Sequence, residues 1–179
     1  VYKRQCVDTL EGEATTEFRS NTGSNLHISS GRFDLQQAAQ TMSELMSKPI
    51  RLGVARVDRC ARYLAGSGYL ALVFRHEPEP TKSVVIVDSN WSEEPERYST
   101  HAGCEFLGSH LIESYVAKDQ VRSLSSGEAE LYGIVDGAAR GIMTRNALGE
   151  IGTVNWPVEV CTDSSAAIGM GPRKEAGLV

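Results

Sequence analysis

The sequence predicts an α/β domain, built on a mixed β-sheet with flanking helices and preceded by a small helical segment. Three observations predict this class. Residues 83–88 form a short β-branched run, further β-prone segments follow it, and one long helical pattern separates them from a last strand. The chain has 179 residues, enough for one ordinary domain or two small ones.

The first part of the chain has helical patterns behind a polar start. Residues 1–16 lack hydrophobic periodicity, so we expect a flexible lead-in there. Apolar residues recur at helical spacing over 34–47, where Asp34 is a candidate N-cap, and again over 51–65, with Gly66 just past the end. Two helices joined by a short turn form a hairpin that needs a partner surface.

A change of pattern divides the chain. Residues 69–74 form a short, apolar, β-prone segment, whereas residues 76–82 contain two prolines and are typical of a linker. We therefore expect a helical segment over 17–75 and a separate domain over 83–179.

The second part opens with strands. The four β-branched residues within 83–88 predict a central strand buried on both faces. The β-prone segments 102–107, 110–116 and 121–124 follow at the spacing of a meander.

A long helix is predicted from about Ser126. Either Ser125 or Ser126 can cap it, and its end is expected near Gly149 or Gly152. Its apolar residues recur at helical spacing and predict the buried stripe, which consists of Leu131, Ile134, Val135, Ala138 and Ile142.

A strand over 158–163 and a short helix over 165–170 complete the predicted elements. A crossover through one helix makes the first and last strands neighbours, and ligands of such sheets bind at the carboxyl ends of the strands. Asp88 and Asp163 both stand at those ends.

Composition excludes some function classes. The net charge is −5, but residues 1–75 carry 10 Lys+Arg against 7 Asp+Glu, and residues 76–179 carry 8 against 16. A globally basic nucleic-acid binder is not indicated. The acidic second part either is merely solubilising or binds nucleic acid through metal ions between its carboxylates and the phosphates.

Cellular location is predicted from cysteines and hydropathy. The four cysteines are widely spaced, which favours reduced thiols over a zinc site, and Cys60 and Cys161 lie in apolar patterns typical of core residues. No run of 18 apolar residues and no signal peptide is present, so we expect an intracellular protein without a membrane span. Since the chain does not begin with Met, we expect it to be a piece of a longer protein.

Three acids are the candidate site. Glu130 lies early in the long helix, between Asp88 and Asp163 in the chain, and a helix packed on the sheet can direct it towards both. Converging carboxylates repel one another unless a cation is present, and their hard oxygens suit Mg²⁺ or Mn²⁺. Two such ions about 4 Å apart can hydrolyse a phosphodiester. Spacing alone leaves the alternative open, because acids at strand ends and helix starts are also common as turn or cap residues.

Several motifs resemble the ribonuclease H domain of copia-type retrotransposon Pol polyproteins. They surround the three acids in the expected order: Val85–Trp91, Ser99–Phe106, Leu124–Tyr132 and Val160–Ala167. Upstream, shorter matches around Phe18–Ser24, Arg32–Leu35, Met46–Pro49 and Arg62–Gly66 resemble the thumb and connection region that ends the reverse transcriptase. The resemblance covers residues 17–179.

The resemblance implies a ribonuclease H-like fold and metal-dependent hydrolysis of the RNA strand of an RNA–DNA hybrid. Asp88 would bridge two Mg²⁺ or Mn²⁺ ions, and Glu130 and Asp163 would complete the two sites. Glu128 is the other acid of the same motif, but it is two residues away and points to a different helix face. The implied partners are the hybrid and the remainder of the polyprotein, in a cytoplasmic particle or the nucleus.

The chain also departs from the family. Asn90 replaces an acid that we regard as non-catalytic, and the polymerase palm is absent, so no DNA synthesis is expected. A fourth acid, in a His-x-Asp segment, would lie beyond Val179, and Glu175 matches no motif. The domain is therefore expected to be truncated, and the alternative function is an inactive remnant that only binds nucleic acid or a protein.

Other conspicuous residues have ordinary interpretations beside functional ones. We expect Trp91 to pack at the sheet edge rather than stack on a base, and His101 and His110 to be surface or core residues rather than ligands. The capping serines have no nucleophile context. A basic stripe on the second helix either touches phosphates or is a solvated face; it consists of Arg56, Arg59 and Arg62.

Overall fold

A computed structural model describes residues 8–91, 98–152 and 156–170. The chain forms two compact units, Val1–Leu72 and Val73–Val179. The first contains helices α1 (Gly12–Ser29), α2 (Gln36–Ser43) and α3 (Arg51–Gly66), with a 3₁₀ turn at Phe33–Leu35. The second contains strands β1 (Ser83–Asn90), β2 (Thr100–Leu107), β3 (His110–Lys118) and β4 (Val158–Cys161), and helices α4 (Ser126–Glu150) and α5 (Ser165–Met170).

Helix α1 corrects the predicted flexible lead-in. It begins at Gly12, and Thr9 forms a β-bridge with Ile50, so residues 8–16 belong to the folded unit, while residues 1–7 lie outside the described ranges. The helix has little apolar periodicity because its buried face is largely polar, consisting of Phe18, Thr22, Asn25 and Ser29. Asn25 and Ser29 donate hydrogen bonds to carbonyls of their own helix, which offsets the cost of burying them.

The predicted helix hairpin is present with shifted boundaries. Residues 34–47 form the 3₁₀ turn and the shorter helix α2, and Asp34 does not cap them. Instead its carboxylate accepts hydrogen bonds from Arg32, at 2.9 and 2.7 Å, and from the Tyr63 hydroxyl at 2.7 Å. Gly66 is the last residue of α3 rather than the residue after it. The core of this unit includes Phe18, Met42, Val57 and Cys60, with Leu10, Ala38, Leu45, Met46 and Val54 against it.

The sheet of the second unit is mixed, as predicted. Its strand order is β3-β2-β1-β4, with β1 antiparallel to β2 and parallel to β4. The β-prone segments 69–74 and 121–124 are not strands. The predicted linker is partly ordered against the turn between β2 and β3, because Glu77 accepts hydrogen bonds from the backbone and hydroxyl of Ser109.

Strand β1 is central but not buried on both faces. Val85 and Val87 are buried, whereas Ile86 is 50% exposed, so only one face is covered. On the open face Ile86 lies between Cys104 and Cys161, which are half-buried free thiols, so Cys161 is not the core residue that its apolar pattern predicts. The β-branched run therefore follows the alternation of a half-covered sheet.

Helix α4 packs on the sheet through small residues, which corrects the predicted apolar stripe. Leu131, Val135 and Ile142 are 37%, 59% and 43% exposed. The buried face instead consists of Ala129, Glu130, Gly133, Gly137 and Gly141. Glycines every four residues let the helix backbone approach the strands closely.

The same interface buries a charged residue. The carboxylate of Glu105, 1% exposed, accepts hydrogen bonds from the hydroxyls of Ser83, at 2.6 Å, and Thr144, at 2.8 Å.

Among the described helices, none has the length and hydropathy needed to cross a membrane.

We predict that Gly137→Ala destabilises the second unit. A Cβ on Gly137 would lie 2.5 Å from Val87 Cγ1. Overpacking of this kind costs about 1–3 kcal/mol, more than the roughly 1 kcal/mol that alanine gains in helix propensity. Urea unfolding followed by tryptophan fluorescence measures it, because both tryptophans, Trp91 and Trp156, lie in this unit.

Gly149→Ala is the matched control for this prediction. Gly149 lies in the same helix, and a Cβ there would meet nothing within 4 Å. We expect it to raise the free energy of unfolding by up to about 1 kcal/mol. Equal effects of the two substitutions would contradict close packing at Gly137.

Candidate metal centre

Parallel pairing of β1 with β4 brings two of the predicted acids to one edge of the sheet. Ile86 pairs with Cys161, the last residue of β4. Asp88 and Asp163 each stand two residues further along their chains, at the carboxyl end of their strands. Both side chains are exposed, so they are accessible to a ligand from solvent.

The start of α4 delivers the third acid. The Ser125 hydroxyl accepts a hydrogen bond from the Glu128 backbone N–H at 3.2 Å, which caps the helix. The Glu128 carboxylate in turn accepts from the Leu124 backbone and the Tyr132 hydroxyl. Glu128 therefore serves the helix terminus, while Glu130, one turn from the cap, faces the sheet.

The three predicted acids converge. One carboxylate oxygen from each of Asp88, Glu130 and Asp163 lies within 4.8 Å of the other two. Glu130 is only 7% exposed, and its Oε2 atom is buried without a hydrogen-bond partner among the described residues. A buried acceptor without a partner is costly, so this atom points to a missing donor or cation.

The charges of the three acids also favour a bound cation. Burial raises the pKa of Glu130, and the nearby carboxylates of Asp88 and Asp163 raise it further, while a hydrogen bond from Thr162 opposes them. The ionised cluster is therefore unfavourable by itself. A cation between the carboxylates would remove both the repulsion and the unsatisfied oxygen.

The donor set fits a hard divalent cation. All three ligands are carboxylate oxygens, the type that Mg²⁺ and Mn²⁺ prefer, and no thiol or imidazole joins them among the described residues. Three protein ligands leave coordination positions for water or substrate oxygens. Glu175, which matched no motif, lies outside the described residues.

Ser89 links the two elements that carry the site, and the sequence analysis missed it. Its hydroxyl donates a hydrogen bond of 3.1 Å to the Ala129 carbonyl. Ser89 follows Asp88 and Ala129 precedes Glu130, so this bond fixes the distance between their backbones. No motif marks it, because a serine after a strand-end acid is unremarkable in one sequence.

A partly buried network of hydrogen bonds and ion pairs forms a second attachment of α4. The two ring nitrogens of His101 lie 2.6 Å from Asp119 Oδ1 and 3.1 Å from Asp136 Oδ2. Asp136 accepts from Arg140, which also donates to Glu113. His101, 7% exposed, is thus a core residue as expected, and it connects three elements of the sheet and helix.

The other conspicuous aromatic and imidazole groups are also accounted for. The Trp91 indole N–H donates to the Ser123 carbonyl at 3.1 Å, and the side chain is half-buried near the sheet edge. The His110 ring packs on Phe74 at 5.3 Å, with Glu77 3.5 Å away. Neither histidine belongs to the acid cluster.

Comparison with known proteins adds no relative. No protein-family model, curated protein or solved structure matches this chain.

We predict that Mg²⁺ stabilises the second unit through Glu130. At a concentration about 100 times its Kd, the ion should add about 2.7 kcal/mol to the free energy of unfolding at neutral pH. Glu130→Gln should abolish this gain, and without the ion it should be at least as stable as wild type because it removes the repulsion. Urea titrations with and without Mg²⁺ measure both effects.

The gain should depend on pH in a defined direction. Because the folded-state pKa of Glu130 is raised above 4.5, its protonation favours the fold below pH 4.5, and this contribution is lost as pH rises through the raised value. Mg²⁺ stabilisation should therefore be greatest at neutral pH and vanish in acid. Glu128→Gln is the control that should keep it, and an equal gain in Glu130→Gln would contradict the site.

We also predict that Ser89→Ala weakens metal binding. Loss of the bond to Ala129 frees the two backbones, and loss of a group that supports a metal ligand typically costs about 10- to 100-fold in affinity. Ser83→Ala is the matched control, since it removes a buried serine hydrogen bond at the other end of the same strand. Mn²⁺ titration should show weaker binding for Ser89→Ala alone; equal affinities would refute a positioning role.

Proposed function

We propose that the second unit is a ribonuclease H-like domain that hydrolyses the RNA strand of RNA–DNA hybrids, within a copia-type retrotransposon Pol polyprotein. The observation that carries the proposal is the convergence of Asp88, Glu130 and Asp163 at the carboxyl ends of two parallel strands. In this proposal Mg²⁺ or Mn²⁺, as two ions, occupies the acid cluster, and the protein acts inside the cell.

The motifs behind the resemblance support the proposal, because three of the four in the second unit each contain one acid of the cluster. Leu124–Tyr132 contains the helix cap and Glu130. Val160–Ala167 contains the end of β4, Asp163, and Ser164, whose hydroxyl accepts from the Ala167 N–H at 3.3 Å. Three short motifs that each place an acid in one cluster are a stronger signal than any one of them.

The chemistry divides between the exposed and the buried acids. When bound, the divalent ions would activate a water and stabilise the leaving oxygen of the phosphodiester. Asp88 and Asp163, open to solvent, would hold the ions where the RNA backbone can approach, and Glu130 would fix them from the protein side. Water adds its hydroxyl to phosphorus, the P–O bond breaks, and the leaving oxygen takes the remaining proton.

A second candidate is an inactive retroelement remnant that binds nucleic acid or a protein. Its motivation is the net charge of −8 over residues 76–179, which disfavours substrate binding unless cations are present. This alternative predicts binding without cleavage, so one assay separates the two.

The deciding assay is cleavage of an end-labelled RNA–DNA hybrid with Mg²⁺ or Mn²⁺. We expect the wild-type chain to cut the RNA strand, and to leave a DNA duplex intact. Asp88→Asn and Glu130→Gln should each lower the rate by at least about 100-fold, more than the loss of a residue that only supports a ligand.

Glu128→Gln is the control for charge and position in this assay. It removes an acid two residues from Glu130 on the same helix, yet it should retain most of the activity. Cleavage that is equal in wild type and Asp88→Asn would identify a contaminating nuclease. Binding of the hybrid without cleavage would overturn the enzyme and favour the inactive remnant.

A further inference from the structure

The hydroxyl of Thr162 joins the chain segment of one acid to the side chain of another. Thr162 is half-buried and stands between Cys161, the last residue of β4, and Asp163. It donates a hydrogen bond to the carboxylate of Glu130, which comes from α4. Thr162 therefore contacts the buried acid of the cluster from the segment that carries an exposed one.

The turn after β4 determines where this hydroxyl directs its hydrogen. The Thr162 Oγ1 atom accepts a hydrogen bond of 3.2 Å from the Ser164 backbone N–H. A hydroxyl has a single hydrogen, so an oxygen that accepts from one neighbour is free to donate to another. The Ser164 hydroxyl is used separately, because it accepts from the Ala167 N–H at 3.3 Å. The turn therefore leaves the Thr162 hydrogen for Glu130.

The two oxygens of Glu130 are in unequal situations. The Oε2 atom has no hydrogen-bond partner among the described residues, so Oε1 is the oxygen that the Thr162 hydroxyl engages. Glu130 is 7% exposed, whereas Asp88 and Asp163 are exposed. A buried carboxylate cannot turn in solvent to present both oxygens, as an exposed one can. The protein thus offers a cation one oxygen of Glu130 and keeps the other for the hydroxyl.

The number of oxygens that Glu130 can supply separates two kinds of divalent ion. Mg²⁺ prefers octahedral coordination at about 2.0–2.1 Å and keeps several waters, so single oxygens from a few carboxylates suit it. Ca²⁺ takes about six to eight oxygens at about 2.3–2.6 Å and commonly binds both oxygens of one carboxylate. An acid that is limited to one oxygen therefore disfavours the larger ion.

We propose that Thr162 is a positioning residue that selects Mg²⁺ or Mn²⁺ against Ca²⁺ at the acid cluster, by holding one oxygen of Glu130. The inference rests on the proposed function, because it concerns the ions of that site. A hydroxyl that only stabilised the turn would change the affinities for all divalent ions alike. A hydroxyl that limits Glu130 to one oxygen changes the ratio of the affinities for small and large ions.

The first test measures Mg²⁺ and Ca²⁺ affinities of the full chain by displacement of Mn²⁺, followed by the electron paramagnetic resonance signal of free Mn²⁺. Thr162→Val keeps the shape of the side chain and removes the hydroxyl. It should weaken Mg²⁺ binding by about 10- to 100-fold, the usual loss when a group that supports a metal ligand is removed. Ca²⁺ binding should weaken less, because the freed oxygen gives this ion a further ligand. The affinity ratio should therefore shift towards Ca²⁺ by about 10-fold or more.

Matched variants separate the hydroxyl from the turn. Thr162→Ser keeps the hydroxyl and should retain the wild-type ratio. Ser164→Ala removes the neighbouring hydroxyl of the same turn, which accepts from Ala167, and should retain the ratio as well. Urea unfolding followed by tryptophan fluorescence checks that each variant folds, and Thr162→Ala repeats the loss of the hydroxyl if valine prevents folding.

The second test observes carboxylate binding by infrared spectroscopy. The separation between the symmetric and antisymmetric stretching bands of a carboxylate differs between binding through one oxygen and binding through two. Difference spectra between Ca²⁺-bound and ion-free protein should therefore contain a two-oxygen carboxylate in Thr162→Val that is missing in wild type and in Thr162→Ser. With Mg²⁺, the three proteins should give the same pattern. Identical Ca²⁺ spectra in all three would contradict the role of Thr162.

The outcomes separate this inference from the proposed function. Failure of the wild-type chain to bind Mg²⁺, Mn²⁺ or Ca²⁺ would overturn both. An unchanged affinity ratio in Thr162→Val, or the same shift in Ser164→Ala, would overturn the role of Thr162 and leave the nuclease standing. A shifted ratio that serine restores, together with absent cleavage of the hybrid by wild type, would uphold Thr162 and remove the nuclease.

Discussion

The parallel pairing of β1 with β4 is the interaction on which the rest of the second unit depends. It places two strand ends side by side, and each of them is followed or occupied by an acid. The long connection between these strands contains α4, so the same pairing forces the helix onto the sheet and brings Glu130 to Asp88 and Asp163. The strand pairing that forms the fold is therefore also the pairing that brings the acids together.

Sequence reasoning predicted the elements that carry strong periodic or capping signals. The β-branched run and the cap at Ser125 identified the strand and the helix, and the three predicted acids lie together. It failed where burial does not follow hydrophobicity. In α1 the buried residues are mostly polar, and in α4 they are mostly glycines, so the apolar stripe predicted for α4 lies on the wrong face of the helix.

The attachments of α4 could not be predicted for a different reason. His101 and Asp136 are far apart in the chain, and their meeting depends on strand register and helix rotation together. The bond between Ser89 and the Ala129 carbonyl needs the same information. Interactions of this kind involve common residue types in ordinary contexts, so a single sequence marks the ligands of a site but not the groups that hold them in place.

The glycine face of α4 has a consequence for how this protein tolerates change over time. Where a core is made of large side chains, neighbours can repack around a substitution and the helix can shift with little loss. Here the contact at Gly137 and Gly141 is helix backbone against valine side chains, so the helix has no side chain there that could rearrange. The outward residues Val135 and Met143 can be substituted, while the inward glycine positions leave no room for a larger residue. The position of Glu130 over the sheet therefore depends on keeping glycine, which has no Cβ, at these inward positions.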